Sequence, residues 1–408
     1  MIRERGPISR TEIQAELGLS FPAISLAVAD LVQEGLVIRS GSTGSGVGRK
    51  AELFEFNPRK GYVMGIDLGA RKIRVALANL VGNIVHKAEV PTLAYEGGPR
   101  VMARLLELAK SSLLAGNIQK SEVLAVGVAA PGISEQSTGK NLLFPFIPSW
   151  AEVPIHAILQ DEFGAPVVVE NDVDMAVIGE RTWGAGKGCN DLVFLNIAVG
   201  VAAGIILDGR LVRGRNAAAG EVGFMVVDPS LAREEFDDQG VLESLISGPG
   251  IVRQWMQLRS KAATTETASM PLEPAGASSF QPPEIDSETI FAMAEKGDPV
   301  AGQVIARTVS YLSLALANLV AVLNPEKVIL GGGVGLALYT RKEALMEFLR
   351  RHVPFPPEIV HAQLGSDASV FGAVAVALER ATMSLEERLA DGIDNGHEKG
   401  QAPRLREA

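Results

Sequence analysis

A single cysteine, Cys189, leaves the chain without an internal disulfide or a multi-cysteine zinc site, and points to the cytoplasm. Aromatic residues are scarce at 5%, although 47% of the 408 residues are hydrophobic, so the cores are built from Ala, Val, Leu and Gly in the manner of globular α/β chains. No apolar run is long enough to cross a bilayer. The longest, Tyr311–Leu323, contains Ser313 and Asn318, and the N-terminus is charged rather than signal-like, so no membrane partner is expected. Positive charge is also short: the net charge is −10, which argues against nucleic-acid binding by the chain as a whole. The shortage is uneven. Residues 1–60 carry eight Lys/Arg against seven Asp/Glu, leaving −11 on residues 61–408, so any DNA contact belongs to the N-terminal segment.

The length allows two or three domains. Residues 1–60 read as a small helical unit that ends in a Gly/Ser-rich hairpin and Asn57-Pro58. From Gly61 onward strands and helices alternate, as in layered α/β folds. Thr264–Pro283, rich in Thr, Ala, Ser, Pro and Glu, is expected to be a mobile surface insertion, and residues 385–408 a disordered tail.

Within the first unit, Ser9-Arg10-Thr11-Glu12 has the capping-box pattern and starts a helix through about Leu17. Gly18-Leu19 supplies a tight turn. Ser20 then caps a second helix, Phe21 to Glu34, with Pro22 in its first turn and Gly35 ending it. Ile24, Val28 and Leu31 keep one face apolar, which leaves Pro22, Ser25, Leu26 and Ala29 on or near the other. This is helix-turn-helix spacing. Leu36–Arg39 and Leu53–Phe56 alternate as a hairpin, and Gly41–Lys50 between them forms a wing tipped by Arg49 and Lys50, suited to phosphates or a minor groove. The competing reading is a helical dimerisation arm with a loose loop. The second helix carries no Lys or Arg, so base readout rests on Ser20, Ser25 and apolar contacts. Only six residues precede Pro7, fewer than a full first helix needs, so an upstream start is expected.

Asp67-Leu-Gly-Ala-Arg-Lys72 follows the apolar run Tyr62–Ile66 and, taken alone, reads equally as a phosphate-binding turn or as an ordinary strand turn. Glu170-Asn171-Asp172 closes the apolar run Val167–Val169 and opens a helix, so its polar side chains sit at a strand end, the usual ligand position in α/β folds. The plainer reading there is a helix N-cap.

Taken in order, Gly6-Pro-Ile-Ser-Arg-Thr-Glu-Ile13, Leu36-Val37 with Gly48-Arg49-Lys50, Gly65-Ile-Asp-Leu-Gly69, Ala130-Pro-Gly132, Glu170-Asn-Asp172 with Gly179-Glu180, Gly220-Glu-Val-Gly223 and Ile329-Leu-Gly-Gly-Gly333 resemble the ROK family (repressors, open reading frames and kinases). Within it they are similar to the winged-helix, sugar-responsive repressors. The resemblance runs from about Gly6 to Glu379 and implies an α/β fold: a winged helix-turn-helix (1–60) followed by a two-lobed ribonuclease-H-like/actin-like, sugar kinase-like domain. Lobe one would span 61–184, with a C-terminal helix at about 366–384 returning to it, and lobe two 185–365.

The resemblance also assigns roles. Asn171 would hold sugar hydroxyls, Asp172 stands at the position of the kinase base, and Glu221 would bind sugar. The family's His after Gly-Glu-x-Gly is here Phe224, and Asp237–Val241 replaces a Cys-rich loop although Gly240, Leu242 and Glu243 are kept; no zinc and no cofactor are expected. Phe146 stands at the position of a sugar-binding Asn. In the first phosphate turn Ala70 and Arg71 replace the second Gly and the Thr, and in the second, Ala198-Val-Gly-Val-Ala-Ala-Gly204, Val199 again replaces the hydroxyl. Gly331–Gly333 resembles the adenosine-side turn, or serves a tight strand-to-helix turn. The expected function is a ligand-responsive transcriptional regulator, more a repressor, acting on operator DNA as a homodimer or homotetramer whose effector closes the lobes. The alternatives are an ATP-dependent sugar kinase with a DNA-binding appendix, and a binding protein whose head no longer recognises DNA.

Overall fold

The computed structural model describes residues 1–42, 51–134, 141–143, 147–232, 240–267 and 285–398. Three helices, α1 (Ile2–Arg5), α2 (Arg10–Leu17) and α3 (Phe21–Gln33), pack against a small antiparallel sheet of β1 (Ile8–Ser9), β2 (Val37–Ser42) and β3 (Glu52–Phe56) in the order β1-β3-β2. The capping box forms in full: the Ser9 hydroxyl accepts from the Glu12 N–H, and the Ser9 N–H donates to the Glu12 carboxylate at 2.8 Å. Gly18 turns the chain in the left-handed region (φ 66), and Ile13, Ile24, Val28, Val37 and Phe54 close over a miniature core. β1 was not expected; two residues pairing with β3, more than forty positions away, leave no local pattern. The wing residues 43–50 lie outside the described residues.

Contacts divide the chain into two units. The first comprises residues 1–130, 145–169 and 373–408, the second 131–144 and 170–372. Beyond the head, the first unit holds a five-stranded sheet built from β4 (Tyr62–Leu68), β5 (Lys72–Asn79), β6 (Ile84–Pro91) and β7 (Val123–Ala130), with helix α4 (Gly98–Ala115) between the last two. Two short strands, β8 (Ile133–Ser134) and β9 (Asn141–Leu143), pair with each other; helix α5 (Ile155–Phe163) and β10 (Val167–Asn171) follow. The sheet order is β10-β7-β4-β5-β6. β4 and β5 are apolar on both faces because both are covered, whereas the edge strand β6 alternates between half-buried and exposed.

Helix α6 (Asp172–Trp183) leads the second unit, whose sheet β13-β12-β11-β14-β15 uses β11 (Leu192–Ile197), β12 (Val201–Leu207) and β13 (Arg210–Leu211) before a helical stretch, and β14 and β15 after it. That stretch is α7 (Val241–Ile246), α8 (Gly248–Thr267), α9 (Ser287–Glu295) and α10 (Pro299–Leu323). β14 (Lys327–Gly331), α11 (Gly332–Tyr339), α12 (Lys342–His352), β15 (Glu358–His361) and α13 (Ala368–Glu398) complete the chain. Counted in chain order, the strands of both five-stranded sheets run 3-2-1-4-5, so one topology occurs twice without an internal sequence repeat.

Three expectations are corrected. The second unit starts near Glu170 rather than at 185, because Val173, Ala176 and Val177 of α6 are buried against Leu192, Phe194 and Ile206. Of the tail expected to be disordered over 385–408, residues 385–398 continue α13 to Glu398, with Leu385, Glu386, Glu387, Arg388 and Leu389 all good helix formers, and residues 399–408 lie outside the described residues. Helix α10 is longer than its apolar core suggested, and among the described residues two helices, Pro299–Leu323 and Gly365–Leu389, meet the length and hydropathy of a membrane span. α10 turns Leu312, Ala315, Leu316 and Val320 into the core of its own unit. Of Thr264–Pro283, Thr264–Thr267 is helical and the remainder lies outside the described residues.

Candidate functional site

The residues singled out in the sequence fall in two regions. In the head, Ser20 accepts from the Ala23 N–H at 3.4 Å and so caps α3, while Ser25 is half-buried beside it. The exposed side of α3 is apolar: Leu26 is 64% exposed, and Leu17, Leu19 and Phe21 around the turn are also open to solvent. Leu26 was expected on this face; the extension of the apolar surface over Leu17, Leu19 and Phe21 was not, and grouped exposed apolar side chains are suited to contact. Several head cations are engaged by carboxylates, Arg10 at 3.0 Å and Arg39 at 2.9 Å from Glu52, and Arg5 with Glu16. Arg49 and Lys50 lie outside the described residues.

The second region belongs to the second unit. Asn171 is the N-cap of α6, its Oδ1 accepting from the N–H groups of Val173 (2.8 Å) and Asp174 (3.3 Å), while its amide donates to the Gly132 carbonyl (3.0 Å). The capping reading is thus realised, and Asn171 is locked in place. Asp172 accepts from the Val173 N–H (3.0 Å); burial raises its pKa against that bond. Glu221 is raised by burial first, then by the charges of Glu243 and Asp172. Both Asp172 and Glu243 thus act on Glu221 through their charge. Glu243, retained in the sequence but given no role there, projects from α7, accepts from the Val201 N–H (3.0 Å), and is raised by burial.

Asp174 was missed by sequence reasoning. It is buried one position beyond Val173, and burial, then the charge of Glu170, push its pKa up to about 7 against the pull of Arg213. Glu170, also buried, accepts from Arg213 at 2.7 and 3.0 Å. A carboxyl donates to a hydroxyl when protonated and accepts from one when ionised. Among the described residues no group of His, Cys, Asp and Glu is arranged to hold a metal. Phe224 is exposed, and Phe146 lies outside the described residues.

The two glycine-bearing turns have definite partners. In the first unit Asp67 is buried and paired with Arg74, its cross-strand neighbour, at 2.8 Å. The Gly69 carbonyl accepts the Thr92 hydroxyl (2.6 Å) and the Arg71 carbonyl the Thr92 N–H (2.9 Å). In the second unit the β11–β12 turn is closed by the Ala198 N–H donating to the Gly200 carbonyl (2.9 Å) and by Glu243 on Val201. Gly204 is needed for packing, since a Cβ there would lie 2.6 Å from the Val173 carbonyl of α6. Gly332 adopts φ 75 with the Ile197 carbonyl 2.3 Å from where a Cβ would stand, the tight strand-to-helix turn; Gly333 faces open space.

Comparison with known proteins finds the ROK family over residues 63–380. A xylose repressor of Caldicellulosiruptor bescii is 29% identical over 79% of this chain and 79% of its own. A glucokinase of Halalkalibacterium halodurans is 30% identical over 76% of this chain and 93% of its own. Among solved structures, a ROK family transcriptional regulator described as a homolog of the E. coli MLC protein matches 94% of this chain and 95% of its own, at 25% identity and a TM-score of 0.72.

Proposed function

The chain belongs to the ROK family, and on that footing we propose that it is a cytoplasmic, sugar-responsive, DNA-binding transcriptional regulator, a repressor, with a kinase-like effector domain that does not usefully transfer phosphate. Residues 1–60 act as a winged helix-turn-helix, and a homodimer or homotetramer presents paired heads to operator half-sites. The observation that carries this reading is the head itself. The glucokinase relative uses 93% of its own length but only 76% of this chain, whereas the transcriptional regulator extends over 94%. The effector, a small polyhydroxylated sugar, is held by Asn171, Asp172 and Glu221, whose coupled carboxyls suit hydroxyl groups.

A second reading, an ATP-dependent sugar kinase, is favoured by the glucokinase identity and by Asp172 at the base position. It is opposed by the Arg74 guanidinium on Asp67, which neutralises the carboxylate a magnesium ion would need, and by Arg71 and Val199 at the hydroxyl positions. A gel shift on the DNA upstream of the gene, with and without D-xylose, D-glucose and amino sugars, tests the proposal. The expected result is a salt-sensitive complex whose affinity one sugar changes; no complex at any salt concentration refutes it.

A further inference from the structure

Glu170 ends the strand that delivers Asn171 and Asp172, and it is buried. Forty-three residues later Arg213 opens the segment 212–220 that leads into Glu221, and its Nε and Nη2 both donate to Glu170 Oε1, at 3.0 and 2.7 Å. That segment is otherwise fixed by backbone bonds near its ends: the Val212 N–H to the Ile205 carbonyl (2.9 Å), the Ala219 N–H to the Arg213 carbonyl (3.1 Å), and the Ala203 N–H to the Gly220 carbonyl (2.7 Å). Between them, Gly214, Arg215 and Asn216 are exposed, and Ala217 sits at φ 52, a conformation an alanine keeps only when its surroundings impose it.

We propose that the Glu170–Arg213 pair is a positioning clamp that fixes Glu221 relative to Asn171 and Asp172, so that Arg213 sets ligand affinity without touching the ligand. The inference rests on the sugar-site reading above. Glu170 is buried but the Arg213 side chain is 38% exposed, so solvent screening and the cost of desolvating the carboxylate leave the pair little net stability; what its two-point contact supplies is a defined geometry. Arg213 also faces Asp174, whose other charged neighbours are Glu170, Asp172 and Glu221, while Glu221 in turn faces Glu243. Without the guanidinium, these carboxylates repel one another once ionised, and the segment bearing Glu221 is pushed away from α6.

The test is calorimetric titration of the full chain with D-xylose and D-glucose at pH 5.5 and 8, together with amide hydrogen exchange of the sugar-free protein. Arg213→Ala is expected to weaken binding at least tenfold at pH 8 and less at pH 5.5, and to speed exchange over 212–221 while α10 stays protected. Arg213→Lys, which keeps the charge but not the two-point contact, should recover part of the loss, and serves as the probe if the alanine variant fails to fold. Glu170→Gln combined with Arg213→Ala should be no worse than the worse single change, as expected of one unit. Wild-type binding with an Arg213→Ala affinity within twofold at pH 8 overturns the clamp alone. If the wild type binds neither sugar, the site reading fails for these ligands and exchange alone decides: faster exchange over 212–221 supports the clamp, and unchanged exchange overturns it.

Discussion

Asp174 is a carboxyl held near pKa 7 inside the second unit, against an ordinary 3.8, so the folded state binds its proton more tightly than the unfolded chain does. Its contribution is therefore fully favourable below pH 3.8 and is lost as pH rises through about 7. The full shift corresponds to roughly 4 kcal/mol. Asp174→Asn should thus gain stability relative to the wild type between pH 5 and pH 8 in urea unfolding; a difference that does not change with pH would show that Asp174 is ionised throughout. Asp67 and Arg74 form the opposite case, a buried pair whose charges satisfy each other. Arg74→Ala removes the guanidinium paired with the buried Asp67 carboxylate and should cost about 3 kcal/mol, whereas replacing both residues with apolar side chains of similar volume should cost much less. Denaturant midpoints of the two variants separate these outcomes.

At the scale of elements, α3 presents Leu26 to solvent while Ile24 and Val28 face the core. Leu26→Ala should leave stability within about 0.5 kcal/mol, since an exposed side chain contributes little, yet lower operator affinity about tenfold through lost contact with thymine methyls. Unchanged affinity would remove α3 from the DNA interface. This helix was legible because its signals are local: Ser20, Pro22 and Gly35 stand where caps and breakers act. The same holds for the Ser9–Glu12 box and for Glu170–Asp172 at a strand end. What could not be read depends on register or burial. The pairing of Asp67 with Arg74 needs the β4–β5 register, β1 needs β3, and the raised carboxyl of Asp174 needs the α6 packing that draws Val173 and Val177 onto β12. Gly204 shows the converse. Its sequence context suggested phosphate approach, and its place against Val173 gives it a packing reason instead.

For the whole molecule, charge and topology set the division of labour. One strand order occurs in both units, while the −11 carried beyond residue 60 disfavours DNA, so on the proposed function specific affinity is expected of the head. Deleting residues 1–60 should abolish operator binding and leave sugar binding; retained operator binding by the truncated chain would refute the assignment. Arg49→Ala with Lys50→Ala should flatten the salt dependence by up to about two units of slope, one per lost phosphate contact. The last expectation concerns chemistry. Phosphoryl transfer depends on positioning and on neutralising the phosphate with magnesium and close donors, so a base alone does not suffice. The family resemblance puts Asp172 at the base position, but Asp67 is paired with Arg74, and by the same resemblance Arg71 and Val199 stand where hydroxyl donors are expected. On the proposed function Asp172 is a hydroxyl acceptor, and Asp172→Ala should cost roughly 1–3 kcal/mol of sugar affinity with operator binding intact. A coupled ADP-release assay with magnesium, ATP and the bound sugar should stay below about 1 s⁻¹, the low end of ordinary enzyme rates; turnover at or above it would make the kinase reading the better one.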